Sequence, residues 1–284
     1  MSVHVIVESD YLRERTPVGD DDLGNFEENR ALMSLLLRGA VHYKLDFNAR
    51  TFHQKFIVRD YNRPGQAVLS GSTNFTITGT GANLNNVVIF HSAGIAKFYH
   101  DEFRELKAGV FGRRSPRGYK APEVLVGNTK VYPLFAPDHS PELIIVNGIL
   151  KSRASVYFAI FTFAGSTTVD DALLRIRQQE VPVTGVLDRT QAAHHFSPHP
   201  KLIQAGATLR RHKVPVLPGF ERPGKLHHKS MVLERQVTIT GSFNYTDQAN
   251  RFNDENLFFI HNPDIAEYYI QEIERIFDSL AEDF

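Results

Sequence analysis

The chain has 284 residues, with 32 Lys and Arg against 32 Asp and Glu and no cysteine. That balance excludes a globally basic polyanion binder, and the missing thiols exclude disulfides, cysteine nucleophiles and zinc–thiolate sites. The length accommodates one large or two ordinary domains, and runs such as 156–164 fall short of the about 20 apolar residues that cross a bilayer, so a cytoplasmic protein with no membrane segment is expected.

Residues 3–7 alternate as a strand that runs out to Asp10. A polar loop over 13–25 carries Asp20, Asp21 and Asp22, read as a solvated tip. Residues 27–37 read as a helix with Leu32, Leu35 and Leu36 on one face, closed by Gly39. Strands follow over 41–45 and 51–59, then 67–69 lead into Gly71-Ser72-Thr73-Asn74, and 87–90 form another strand. Ser92 is placed to cap a helix whose face holds Ile95, Phe98, Tyr99, Phe103 and Leu106. Residues 109–122, with Arg113, Arg114, Arg117 and Lys120, read as a basic linker. Beyond it come a helix over 141–153, a buried strand over 156–163, a helix over 168–177, a strand over 181–187 ending at Asp188, and a short helix over 200–205 closed by Gly206. Asn262 and Pro263 open a last helix carrying Ile265, Tyr268, Tyr269, Ile273 and Ile276. His194, His195 and His199 read as loop residues, and His91 and His261 as strand-end residues without a chemical role.

One pattern occurs twice. His53 and Lys55 precede Ser72 and Asn74 just as His227 and Lys229 precede Ser242 and Asn244. From Gly71 onward the copies keep an offset of 170 (241 − 71), and before the turn it is 174 (227 − 53), so the first copy has four more turn residues. A register kept on both sides of a length-changing turn marks a duplicated unit. Within each copy the imidazole and ammonium share one strand face, as do the hydroxyl and carboxamide, and the glycine admits a close backbone approach. Such a set suits an oxyanion, a phosphate above all. The expected domains are a first lobe over 1–112, a linker over 113–140 and a second lobe over 141–284. The second copy opens with a helix, strand and helix (141–179) that the first does not repeat, which favours further N-terminal chain or a partner domain.

His-x-Lys-x4-Asp followed by Gly-Ser-x-Asn, present twice, resembles the phospholipase D superfamily. His53, Lys55 and Asp60 match in full, and Glu234 stands for the aspartate in the second copy. The resemblance implies an α/β fold of two pseudo-two-fold-related lobes, each a mixed sheet flanked by helices, with the active site at their interface. It implies phosphodiester chemistry without metal or other cofactor, through a covalent phosphohistidine. The catalytic candidates are His53, Lys55, Asn74, His227, Lys229, Asn244 and Glu255, and the substrate-binding candidates Ser72, Ser242, Arg210 and Arg211. In-line displacement needs a group on each side of phosphorus, which two histidines supply, while lysines and amides hold the nonbridging oxygens. The aromatic and Thr after each Gly-Ser-x-Asn, and the stretch 253–277, resemble short bacterial endonucleases of the superfamily. DNA or RNA is therefore the expected substrate; a phospholipase or phosphatidyl transferase, or an inactive phosphate-binding scaffold, is the alternative. Glu255 falls where the offset puts Asn85. The resemblance implies that each orients the histidine of its own copy, so that Glu255 holds His227 as the proton donor and Asn85 holds His53 as the nucleophile.

Overall fold

A computed structural model describes residues 2–9, 34–39, 41–112, 120–213 and 215–284. The acidic tip, the three linker arginines and most of the 27–37 helix lie outside them.

The second copy is built on a nine-stranded sheet. Its strands are β6 (Val124–Val126), β7 (Thr129–Ala136), β8 (Val156–Ile160), β9 (Val183–Leu187), β10 (Thr208–His212), β11 (Lys229–Leu233), β12 (Val237–Gly241), β13 (Glu255–His261) and β14 (Ala281–Asp283). They lie in the order β14-β10-β9-β8-β11-β12-β13-β7-β6. Every residue of β11 is buried, because helices cover both faces of a central strand. The helices Pro141–Lys151 and Thr168–Arg177 put Ile145, Ile149, Leu173 and Ile176 into one core with Met231, Ile239 and Phe259. On the other face, Ala266, Ile270, Ile273 and Ile276 of the helix Pro263–Ser279 pack with Val186, Leu226 and Val232. Each such aliphatic side chain contributes about 1.5–3 kcal/mol on burial.

The first copy repeats this plan in part. Strands β1 (His4–Glu8) and β2 (His42–Asp46) form a parallel pair, as β9 and β10 do. Strands β3 (Phe56–Arg59), β4 (Ala67–Gly71) and β5 (Val87–Phe90) form an antiparallel sheet, as β11, β12 and β13 do. No strand joins the two small sheets among the described residues, where β8 joins its neighbours in the second copy. The helix Ala93–Lys107 is capped as expected, Ser92 Oγ accepting from the Ile95 N–H. At the far end of the chain Asn262 caps through Asp264 and Ile265.

The described part of the expected linker, 120–140, is built into the second sheet. Within it β7 pairs along its length with β13, and Phe135 stacks on Phe98 at 4.8 Å. Val131 and Phe135 share a core with Val68, Ile95 and Tyr99 of the first copy and Phe258 and Ile260 of the second. Pro133 inside the run argues against a strand in sequence. Here it sits opposite Phe258.

Candidate active site at the interface of the two copies

Each motif enters the interface on an extended segment just before β3 or β11, held by matching contacts. The Phe52 N–H donates to Glu8 Oε2 at 2.7 Å, and the Leu226 N–H to Asp188 Oδ2 at 3.1 Å. Glu8 is thus the counterpart of Asp188. The next amides cross to the opposite copy: His53 N–H to Asp254 O and His227 N–H to Leu84 O, both at 2.9 Å. The segments 83–86 and 253–256 are therefore exchanged between lobes.

Their exchange sets the chemistry. His53 Nδ1 lies 2.7 Å from Glu255 Oε2, and His227 Nδ1 lies 2.9 Å from Asn85 Oδ1. This reverses the expected pairing: each orienting residue serves the histidine of the other copy. The offset identifies equivalent positions but carries no information on which lobe a position faces. Both acceptors fix Nδ1–H, leaving Nε2 of each ring as a lone pair.

Ser72 and Ser242 complete these chains rather than the substrate site. Both are fully buried; Ser72 Oγ donates to Asn85 Oδ1 at 2.9 Å and Ser242 Oγ to Glu255 Oε2 at 2.6 Å. The glycine before each is required by close packing. A Cβ on Gly71 would meet Asn86 O at 2.3 Å, and one on Gly241 would meet Asn256 O at 2.2 Å.

Beside the imidazoles are two buried ammonium groups. Lys229 Nζ donates to His227 O at 2.9 Å, and Lys55 Nζ donates to His53 O. Burial lowers the Lys55 pKa to about 8, and burial with the nearby Lys55 charge drives Lys229 well below its usual value. His227 is likewise pushed well below its ordinary value, by burial first and then by Lys229 and Lys55. Burial also lowers His53, against the opposing pull of Glu255. Glu255 stays below the usual carboxylate range: burial works against its charge, but His53, Lys55 and the Ser242 bond outweigh it. Two cations and one deep anion leave a positive cradle for an oxyanion. Asn74 and Asn244 follow β4 and β12 and are half-buried, and Asn244 Oδ1 has no protein partner.

Arg210 and Arg211 do not fit the expected substrate role. Arg210 Nε bonds Asp283 Oδ1 at 2.9 Å and its guanidinium covers the Phe277 ring; Arg211 Nε lies 3.2 Å from Glu282 Oε1. Both are taken up by β14 and its helix. Sequence reasoning missed Phe161, whose half-buried ring lies 4.9 Å from the His227 ring, with the Lys225 and Lys229 ammoniums over it at 5.7 and 4.8 Å. Also missed were Asn86 and Asn256. Asn86 Nδ2 donates to Ser230 Oγ at 3.1 Å and its Oδ1 accepts from Thr240 and Tyr269; Asn256 Nδ2 donates to Ser70 and Tyr99. Their matching places in Asn85-Asn86 and Glu255-Asn256 were the signal. One acidic group with metal-ligand spacing, Glu102, Glu105 and Asp138, occurs among the described residues, and it includes none of the motif side chains.

The family model described as cardiolipin synthase, PLD-like domain, matches residues 1–107 and 145–277, the two copies in turn. A phospholipase D of Rickettsia felis is 32% identical over 154 residues, covering 54% of this chain and 71% of its own. Human mitochondrial cardiolipin hydrolase is 30% identical over 134 residues, 47% of this chain and 50% of its own. In fold, NucT from Helicobacter pylori superposes with a TM-score of 0.52 at 17% identity, over 55% of this chain and 99% of that one. Two matched domains, and motif side chains that meet where they join, make this chain a member of the phospholipase D superfamily of phosphodiesterases.

Proposed function

We propose that the chain hydrolyses phosphodiester bonds in nucleic acid without a metal ion, through a phosphohistidine on His53. The crossed pairing of the histidines carries the reading. When Nε2 of His53 bonds phosphorus, the ring gains positive charge, and Glu255 at 2.7 Å meets that charge as it develops. A proton donor does the reverse: its charge vanishes as the proton leaves. A carboxylate would hold that proton back, whereas the neutral Asn85 on His227 does not. His53 thus attacks, as expected from the sequence, but with the orienting partners exchanged. His227, neutral in the free protein, takes up its proton when the phosphodiester anion enters beside Lys55 and Lys229. Electron pairs then move in line: the His53 N–P bond forms, the P–O bond breaks, and the oxygen leaves with the His227 proton. Water deprotonated by His227 reverses the path and frees His53.

Nucleic acid is favoured by Phe161. Its ring beside His227, with Lys225 exposed over it, suits a base stacked next to the reacting phosphate and a neighbouring charge held by lysine. Phospholipid is the second reading, favoured by the names of the curated relatives. Purified chain offered single- and double-stranded DNA, RNA and phosphatidylcholine or cardiolipin vesicles, with and without EDTA, tests both. Nucleic-acid cleavage that survives EDTA is expected, with losses of about 10³-fold or more in His53→Ala and His227→Ala. Lipid cleavage alone selects the second reading, and strict Mg²⁺ dependence overturns the mechanism.

A further inference from the structure

In each copy a connection leads from a parallel strand to the segment that carries the motif histidine. The first runs from Asp46, which pairs with Glu8, to Phe52. The second runs from His212, whose Nδ1 lies 3.4 Å from Asp188 Oδ2, to Leu226. Five residues span the first gap and thirteen the second, an insertion of eight (13 − 5). Both ends of the longer connection are pinned. The His212 Nε2–H donates to Gly224 O at 3.3 Å, and the Lys225 N–H to Asn83 Oδ1 at 2.9 Å. The extra residues therefore stand out from the rim, and Pro215, Val216, Pro218, Glu221, Arg222 and Pro223 are exposed.

This loop has a built shape. Pro218 and Gly219 make its turn, with Gly219 at φ 86° and the Phe220 N–H donating to Leu217 O at 3.1 Å. Phe220 then rests on the first copy: a Cβ on Gly81 would come within 2.9 Å of its Cζ. A Cβ on Gly224 would meet Ala82 O at 2.0 Å, so the returning leg, 220–225, follows 81–83 closely. It ends at Lys225, whose ammonium lies over the Phe161 ring beside His227. The leg thus lines the rim on the His227 side. On the His53 side the short connection lays Arg50 over Phe252 at 4.7 Å and has no length for such an excursion.

In-line displacement puts the departing oxygen opposite the attacking atom. Resting on attack by His53, we propose that the leg 220–225 and Phe161 form the subsite for the departing half of the substrate. That half is an alcohol with a flat ring to lie against Phe161 and an anion one link further on for Lys225, as the departing nucleotide of a nucleic acid has. Phe220 is a positioning residue that holds the leg from the first lobe. Once the His53 N–P bond has formed, the departing half has left. A residue that touches that half alone therefore governs formation of the phosphoenzyme and not its hydrolysis.

The test is single-turnover kinetics of the full chain with an internally radiolabelled single-stranded oligonucleotide, quenched in base. Phosphoenzyme formation and its hydrolysis after removal of substrate are timed separately. Lys225→Ala and Phe220→Ala should each slow formation by about tenfold or more, the range for one lost stacking or phosphate contact, while the phosphoenzyme hydrolyses at the wild-type rate. Deleting 216–223, which gives the connection the length found in the first copy, should do the same. Equal slowing of both steps, slowing of hydrolysis alone, or no change in either overturns the subsite. Label on the peptide bearing His227 overturns the proposed reaction, and this assignment with it. Label on His53 with both steps slowed alike overturns the assignment alone.

Discussion

At the scale of single residues, Glu255 and Asn85 stand at the same place in the two copies and divide the labour between the histidines. Removing the charge in Glu255→Gln leaves His53 oriented but takes away the anion that meets its developing charge. We expect kcat to fall by about 10²-fold or more with every leaving group, read by steady-state kinetics. Asn85→Asp does the opposite to His227: a carboxylate raises its pKa and holds its proton. It should slow substrates with alkoxide leaving groups, leave p-nitrophenyl esters nearly untouched, and carry the alkaline limb of kcat to higher pH. Lys55 supplies a further pH dependence. Its ammonium is charged below about 8 and neutral above, and in the proposed reaction it is the charged form that holds the phosphodiester anion. KM should therefore rise as pH increases through about 8, and Lys55→Met should flatten that rise.

At the scale of elements, most strands and helices were legible because their periodicity is local. The caps at Ser92 and Asn262 appear as read, and Ile95, Tyr99 and Leu106 of the first helix and Ile273 and Ile276 of the last are buried as expected. Tyr268 instead points outward, 72% exposed, with Ala266 and Ile270 on the core face, and the strand read over 51–59 is confined to Phe56–Arg59. The misread elements depend on distant partners. β7 carries an interior proline and shows its strand character only against β13. Arg210 and Arg211 look like phosphate ligands until β14 brings Asp283 and Glu282 beside them. Crossing of 83–86 and 253–256 is likewise invisible to a repeat offset, so the site residues were legible while their partners were not. The crossing segment carries its own consequence at Asp254. Burial, foremost, lifts its carboxyl to about 8, although Oδ1 accepts the Gly112 N–H at 2.7 Å. A carboxyl raised from 3.8 keeps its proton in the fold and loses it when unfolded. Its stabilising contribution is therefore full below about 4 and is lost as pH rises to about 8, at up to about 1.4 kcal/mol per pH unit. Asp254→Asn, followed by urea unfolding from pH 5 to 8, should remove that slope and be the more stable protein at pH 8.

At the scale of the whole molecule, neither copy holds a complete site. Each histidine takes its tautomer from the other lobe, and Asn86 and Asn256 fasten each lobe to the strands bearing the other's motif. No helix among the described residues is long and apolar enough to cross a membrane. In the proposed reaction the division is asymmetric: His53 forms the covalent bond and His227 moves the proton. Alkaline denaturing quench of His227→Ala with a p-nitrophenyl nucleotide diester, followed by peptide mapping in base, where the N–P bond survives, tests this most directly, since that leaving group needs little protonation. A burst of p-nitrophenolate with phosphorylation on the peptide bearing His53 is the expected result, and His53→Ala should give neither. A phosphopeptide bearing His227, from the wild type or from His53→Ala, would contradict the account.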